Sequence, residues 1–240
     1  MVDTNTSTAT AVKTGFLASV TSVEEALLVR AHGAGIIDCK NPAAGALGAL
    51  PVRTVSDIVR ALSGQAPISA TVGDVALNPE AWVAAVDGMT SPGVDIIKIG
   101  LLPPGDYRAC LEAIKPLAAL YPLVAVLFAD KPLPGVSLKE LVSAVAEAGF
   151  LGIMMDTADK NGSRLTATTS LSALQEFVDT ARAADLVSGL AGALTLEDIP
   201  SLHALQPDYL GFHSALCAEG VRDAAINPER LSAVARALAL

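Results

Sequence analysis

An aspartate and a lysine stand two positions apart at the end of the apolar run AGIIDCKNP, residues 34–42. Side chains of an extended segment alternate faces, so Asp38 and Lys40 point to one side with Ile36, and Ile37 and Cys39 point to the other. A pair of opposite charges at a strand end is either a satisfied ion pair or the start of an active site. A second lysine, Lys98, interrupts the apolar run VDIIKIGL and shares a face with Ile96 and Gly100. Asp74, Asp130 and Asp156 close three more apolar runs, and Lys160 follows Asp156 in MMDTADKNG. A lysine turned into an apolar interior is partly desolvated, which lowers its proton affinity and makes a neutral amine available as a base or as a carbonyl-trapping nucleophile. The alternative is a structural network of counter-ions. For one pair the two readings weigh about equally, but burying several lysines and aspartates at one rim is costly without a return in function.

The elements that must carry these residues follow from periodicity. Strand-length apolar runs at 14–20, 35–41, 67–74, 94–101, 123–130, 151–157, 186–194 and 207–216 alternate with amphipathic runs of helix length. Ser22 with Glu25 and Ser137 with Glu140 have the spacing of a capping box, Gly33 and Gly149 close the same two helices, and Pro228 suits a first helical position. Further helices are expected at 53–63, 79–90, 105–120, 170–184 and 196–205. Eight repeats, with no GxGxxG turn after the first strand, predict an α/β fold of the closed (β/α)8 TIM-barrel type rather than an open doubly wound sheet. The expected layout is a flexible N-terminal tail, 1–13, and a single barrel domain, 14–240.

Barrels of this kind do chemistry at the carboxyl ends of their strands, where Asp38, Lys40, Asp74, Lys98, Asp130 and Asp156 are all expected. The loops after the seventh and eighth strands commonly receive phosphate. Here they offer Gly189, Gly192 and Ala193, then Gly211, His213, Ser214 and Gly220, small residues that allow close backbone approach. His213 is either a phosphate contact or general acid, or a packed, hydrogen-bonded residue.

Composition narrows the function classes. The 240 residues are 52% hydrophobic and 17% charged, with a net charge of −9, so a nucleic-acid or anionic-membrane surface is not expected. No apolar run reaches the roughly 18 residues of a membrane span, and the polar N-terminus lacks the regions of a secretory signal, so a cytoplasmic location is expected. Cys39, Cys110 and Cys217 have no CxxC spacing, and there is no HxH or HExxH group, so neither disulfides nor a metal site is expected.

The stretches FLASVTSVEEALLVRAHGAGIIDCKNPAAGALGA, ISATVGD, VDIIKIGL, MMDTADKNG, LAGAL and GFHSALC together resemble the (5-formylfuran-3-yl)methyl phosphate synthase family. IIDCKNP with GALGA, and MDT with Lys160, are the most specific of these. The resemblance implies a class I aldolase-like barrel that joins two molecules of glyceraldehyde 3-phosphate into a furan aldehyde phosphate, a lyase step of methanofuran biosynthesis needing no cofactor. It implies Lys40 as the Schiff-base lysine and Lys98 as the proton acceptor, with Asp38, Asp156 and Lys160 as acid, base or orienting partners. The usual anion position of the fold, rather than the resemblance, puts phosphate near Gly192, Ala193, Gly211, His213 and Ser214. A different triose-phosphate or phosphosugar aldolase or isomerase, and a noncatalytic phosphate-binding barrel, are the competing readings. A homo-oligomer is compatible with all of them.

Overall fold

The computed structural model describes residues 14–159, 164–220 and 224–238. The expected tail, 1–13, and Lys160 lie outside the described residues. Eight strands form: β1 (Gly15–Val20), β2 (Ile36–Cys39), β3 (Ile68–Thr71), β4 (Ile96–Gly100), β5 (Leu123–Phe128), β6 (Gly152–Asp156), β7 (Val187–Leu190) and β8 (Tyr209–Phe212). Between and after them lie α1 (Val23–Ala31), α2 (Val52–Leu62), α3 (Pro79–Gly88), α4 (Tyr107–Ala118) and α5 (Leu138–Glu147). Then come α6 (Leu165–Thr168), α7 (Leu171–Ala183), α8 (Ile199–His203) and α9 (Pro228–Ala237). The strands are all parallel and close in chain order, β8 returning to β1 with Gly15 opposite Tyr209 and Leu17 opposite Gly211. This is a (β/α)8 barrel.

Each strand falls inside its expected apolar run and is shorter than it, because pairing stops where the chain turns out toward the crossover helix. Only the serine half of each expected capping box forms, since Glu25 accepts from Thr21 and Glu140 from Tyr107 and Arg108. Ser22 accepts from the Glu25 amide and Ser137 from the Glu140 amide, while Pro228 opens α9 behind the Asn227 cap. The one-turn α6 was not anticipated, nor were the short 3₁₀ turns at Pro42–Ala44 directly after β2 and at Ser214–Leu216 and Ala218–Gly220 after β8.

Strand alternation sorts the apolar residues into two layers. Ile37, Ile97, Ile99 and Ile153 face outward and pack with Trp82, Val142 and Phe177 of the surrounding helices. Leu17, Val124, Val126, Phe128, Met154 and Tyr209 face inward and fill the barrel. A fully buried side chain of this size contributes roughly 1.5–3 kcal/mol through removal from water, so both layers hold the scaffold rigid beneath its upper rim.

The rim itself is unequal. The segment after β2 sends Leu47 into the barrel, where a side chain on Gly100 would lie 2.8 Å from Leu47 and 3.0 Å from Phe128. Only glycine leaves room for that contact. Ala46, Leu47 and Phe128 therefore plug the β3–β5 side with apolar groups, and the opening is confined to the opposite side.

Candidate active site

Two buried ion pairs meet at that opening. Lys98 of β4 reaches past β3 to Asp38 of β2, Nζ lying 2.7 Å from Oδ1. Lys40, one residue beyond β2, stretches across the mouth to Asp156 at the end of β6, 3.3 Å from Nζ to Oδ2. β2 and β6 are on opposite sides of the closed sheet, so only a long side chain can make this second bridge. The depths differ as well: the Lys98 side chain is 3% exposed and that of Lys40 11%.

The site sits where strand alternation delivers polar residues to the inward face. Ser19 of β1 and Ser69 of β3 are the ladder partners of Asp38. Their hydroxyls donate to its two carboxylate oxygens, at 3.0 Å and 2.6 Å. Neither serine was singled out from the sequence; the available signal was one serine in each of the apolar runs flanking IIDC, at the register that faces Asp38.

Burial fixes the protonation chemistry. Burial alone pushes the Asp38 carboxyl up, but the charges of Lys98 and then Lys40, with hydrogen bonds from Lys98 and Ser69, outweigh it and hold Asp38 below the usual carboxylate range. Lys98 moves the other way in charge. Desolvation, the largest effect, and the nearby Lys40 ammonium hold its amine below the ordinary lysine value against the opposing pull of Asp38 and Asp156. Tyr209 is pushed upward by burial and by the charges of Asp38 and Asp208. Cys39, buried behind the strand, is pushed up to about 12 by burial and the Asp38 charge, so its thiol stays protonated. Cys110 and Cys217 are buried too.

One cavity joins these groups to the loops after β7 and β8. Asp38, Lys40, Lys98 and Asp156 line its floor and one wall, with Leu17 and Met154. Gly192 and Ala193 line it from the loop after β7, and Gly211, His213 and Ser214 from the end of β8 and beyond. The described residues expected to carry catalysis thus share one surface with Gly192, Ala193, Gly211, His213 and Ser214; Gly189, which abuts the Tyr209 ring, and Gly220 do not line it, and Lys160 is outside the described residues. His213 is half-buried, with Nδ1 3.2 Å from the Ser19 carbonyl and Nε2 4.0 Å from the Cys217 sulfur. Both hydrogen bonding and cavity lining hold for it at once. Among the described residues no group of three or more His, Cys, Asp or Glu is arranged to hold a metal ion, and no helix is long and apolar enough to cross a membrane.

Three of the expected rim charges stand elsewhere. Lys98 is the third residue of five in β4, a full pleat below the strand end. Asp74 lies beyond β3, and its carboxylate accepts from the Ala46 and Leu47 amides at 2.8 and 2.7 Å. Asp130 lies beyond β5 and accepts from the Ala158 and Asp159 amides, both at 2.7 Å. Two of the six charges are therefore clasps for neighbouring loops: Asp74 holds the plug after β2, Asp130 the segment after β6. Neither faces the lysines.

Comparison with known proteins gives a consistent picture. The profile of the family described as 4-HFC-P synthase matches residues 16–235. A protein of Methylorubrum extorquens that carries the name (5-formylfuran-3-yl)methyl phosphate synthase provisionally is 40% identical over 224 residues, which is 92% of this chain and 90% of that one. The (5-formylfuran-3-yl)methyl phosphate synthase of Methanosarcina mazei is 34% identical over 221 residues, covering 89% of this chain and 94% of its own. Among solved structures, phosphoribosyl anthranilate isomerase from Thermus thermophilus superposes with a TM-score of 0.64 at 19% identity, over 94% of this chain and 98% of that one. At that identity the match speaks to the barrel alone.

Proposed function

The chain belongs to the 4-HFC-P synthase family, and from that premise we propose that it condenses two molecules of glyceraldehyde 3-phosphate into (5-formylfuran-3-yl)methyl phosphate through a Schiff base, as a step toward a furan-containing cofactor of the methanofuran type. The composition balances: two triose phosphates less one phosphate and two waters have the formula of the furan product. The observation that carries the reading is the pairing of a deep and a shallow lysine, each with its own aspartate, at one cavity.

Lys40 is the nucleophile. Its amine is the more exposed of the two and lies beyond the strand end, where a carbonyl carbon can approach and a bulky adduct can stand. Asp156 takes and returns protons as the carbinolamine forms and loses water to give an iminium. The iminium nitrogen then draws electrons from the neighbouring carbon, so a base can remove its proton and leave an enamine able to attack a second aldehyde. Lys98 is that base: its proton affinity is lowered by burial, and its side chain is the less exposed of the two lysines. Ring closure and loss of phosphate and water need further proton transfers, which His213 and Lys160 are available to supply. The small residues Gly192, Ala193, Gly211 and Ser214 let backbone approach a substrate phosphate.

Incubation with glyceraldehyde 3-phosphate, with and without borohydride, tests the whole reading. The expected results are a furan aldehyde phosphate without reductant and a triose-derived mass on the Lys40 peptide with it. A sugar phosphate product with the same adduct would identify an ordinary aldolase, and phosphate binding with neither product nor adduct a binding barrel.

A further inference from the structure

Asp38 is gripped from three other strands at once. Ser69 of β3 and Lys98 of β4 share Oδ1, at 2.6 and 2.7 Å, and Ser19 of β1 takes Oδ2 at 3.0 Å. Both serines are buried and stand opposite Asp38 in the ladder, so neither hydroxyl has to stretch to reach it. An ionised carboxylate only accepts hydrogen bonds, so both hydroxyl hydrogens are committed to Asp38. We propose that Ser69 and Ser19 are positioning residues that fix the Asp38 carboxylate as the acceptor for Lys98 and so set the pH at which Lys98 gives up its proton.

The inference rests on the reading of Lys98 as proton acceptor, and its physical basis is competition. Three donors divide the charge of one carboxylate, and each hydroxyl dipole turns its positive end toward the space the ammonium occupies. Removing one hydroxyl leaves more of the negative charge to Lys98 and frees Asp38 to turn toward it, which strengthens the hold on the proton. The other charges acting on Lys98 are Lys40, beyond β2, and Asp156 of β6. Tyr209 of β8 and Cys39 on the outer face of β2 also feel Asp38, and both remain protonated.

The test follows the Lys98 amine directly. In protein carrying [¹³Cε]lysine, the Lys98 resonance is identified by its loss in Lys98→Arg and then titrated in the unaltered chain, Ser69→Ala, Ser19→Ala and Ser69→Thr. A small apolar cavity bordered by Ser69, Ile96, Lys98 and Tyr209 adjoins this position, and Ser69→Thr keeps the hydroxyl while adding one methyl. The expected result is a Lys98 titration moved to higher pH in Ser69→Ala, moved less in Ser19→Ala, whose hydrogen bond is longer, and restored in Ser69→Thr. Furan formation near neutral pH then falls roughly 3- to 10-fold in Ser69→Ala, with the rising limb of its pH profile displaced upward. An unmoved Lys98 titration in both alanine variants, with only the melting temperature lowered, overturns the proposal. A titration that moves while the turnover profile stays put upholds the clamp and overturns the acceptor role of Lys98.

Discussion

Lys40 and Lys98 each face an aspartate at the same cavity, yet the two pairs are built differently. Lys98 and Asp38 come from strands separated only by β3, lie below the rim, and are supported by two hydroxyls. Lys40 and Asp156 come from opposite sides of the barrel, meet at its mouth, and are held at the longer distance of 3.3 Å. A buried pair tightly bonded on all sides is a fixed piece of the interior, whereas a bridge across an opening can part when a substrate enters. Depth thus separates a group suited to holding and moving a proton from a group suited to forming a bond to carbon.

The sharpest way to break this contrast is to truncate each lysine in turn. Lys40→Ala removes the covalent route, and a turnover loss on the order of 10⁶-fold is expected, the scale on which a lost covalent nucleophile acts in other enzymes. Borohydride labelling should disappear with it, while stability falls less than in Lys98→Ala, because Lys40 is the more exposed lysine and its bridge to Asp156 the longer one. Lys98→Ala should cost less in turnover, about 10²- to 10⁴-fold, and more in stability, roughly 3–5 kcal/mol, because Asp38 loses its buried counter-charge. Activity and denaturation measured on both variants would sink the assignment if the ranks came out reversed.

Lys98→Arg sharpens the same comparison. A guanidinium keeps the charge that Asp38 needs but does not release a proton in this range, so stability should return further than activity does. An arginine variant with near-full turnover would make Lys98 a counter-ion.

Asp38→Asn gives a smaller and directional effect. Asp38 raises the proton affinity of Lys98, so its neutralisation should move the rising limb of the turnover profile to lower pH, the direction opposite to Ser69→Ala. The stability change has a definite sign too. Because the folded Lys98 amine titrates below the ordinary value of 10.5, the unfolded chain binds more protons between the two values, and this group makes stability rise with pH across that window. In Asp38→Asn that window should extend to lower pH, and a narrower window in denaturant titrations would contradict the burial argument.

How much of this could be read from the sequence depends on how local each cause is. The strands, caps and barrel were legible because apolar alternation, Ser–Glu spacing and terminal glycines act within a dozen residues. Lys40, Asp38 and Asp156 were legible because a charge closing an apolar run in a barrel points to the rim. The depth of Lys98 was not, since it depends on where each parallel ladder stops, and the apolar runs extend past the paired residues at nearly every strand. Asp74 and Asp130 were misread for a related reason. A carboxylate just past a strand has the same local sequence whether it faces a cavity or clasps a neighbouring loop, and the amides it holds lie 27 to 29 residues away in the chain. Ser19 and Ser69 required the register itself.

The smallest expected effect concerns the clasp at Asp74, which tests whether the closed side of the mouth supports the open side. Asp74 holds the Ala46 and Leu47 amides, Gly73 donates to the Leu47 carbonyl, and the Asn41 amide donates to Gly48. The short loop that starts at Lys40 is thereby tied down at its far end, with Leu47 seated against Phe128 and Val126 inside the barrel. Asp74→Ala should cost about 1–2 kcal/mol, near the low end for hydrogen bonds to a charged group because Asp74 is exposed and water can replace it. Turnover should fall by about 10-fold, less than the ~10²-fold that a full 1 Å misplacement of a reacting group can cost, and the Lys40 adduct should still form. Gly45→Ala attacks the same clasp from the other partner, since a Cβ there would sit 2.1 Å from the Asp74 carboxylate in a backbone with φ of +113°. If the clasp is the shared cause, the double variant should be no worse than the more damaging single one. Additive losses in turnover would mean that Asp74 and Gly45 act separately, and that the plugged side of the barrel does not govern the position of Lys40.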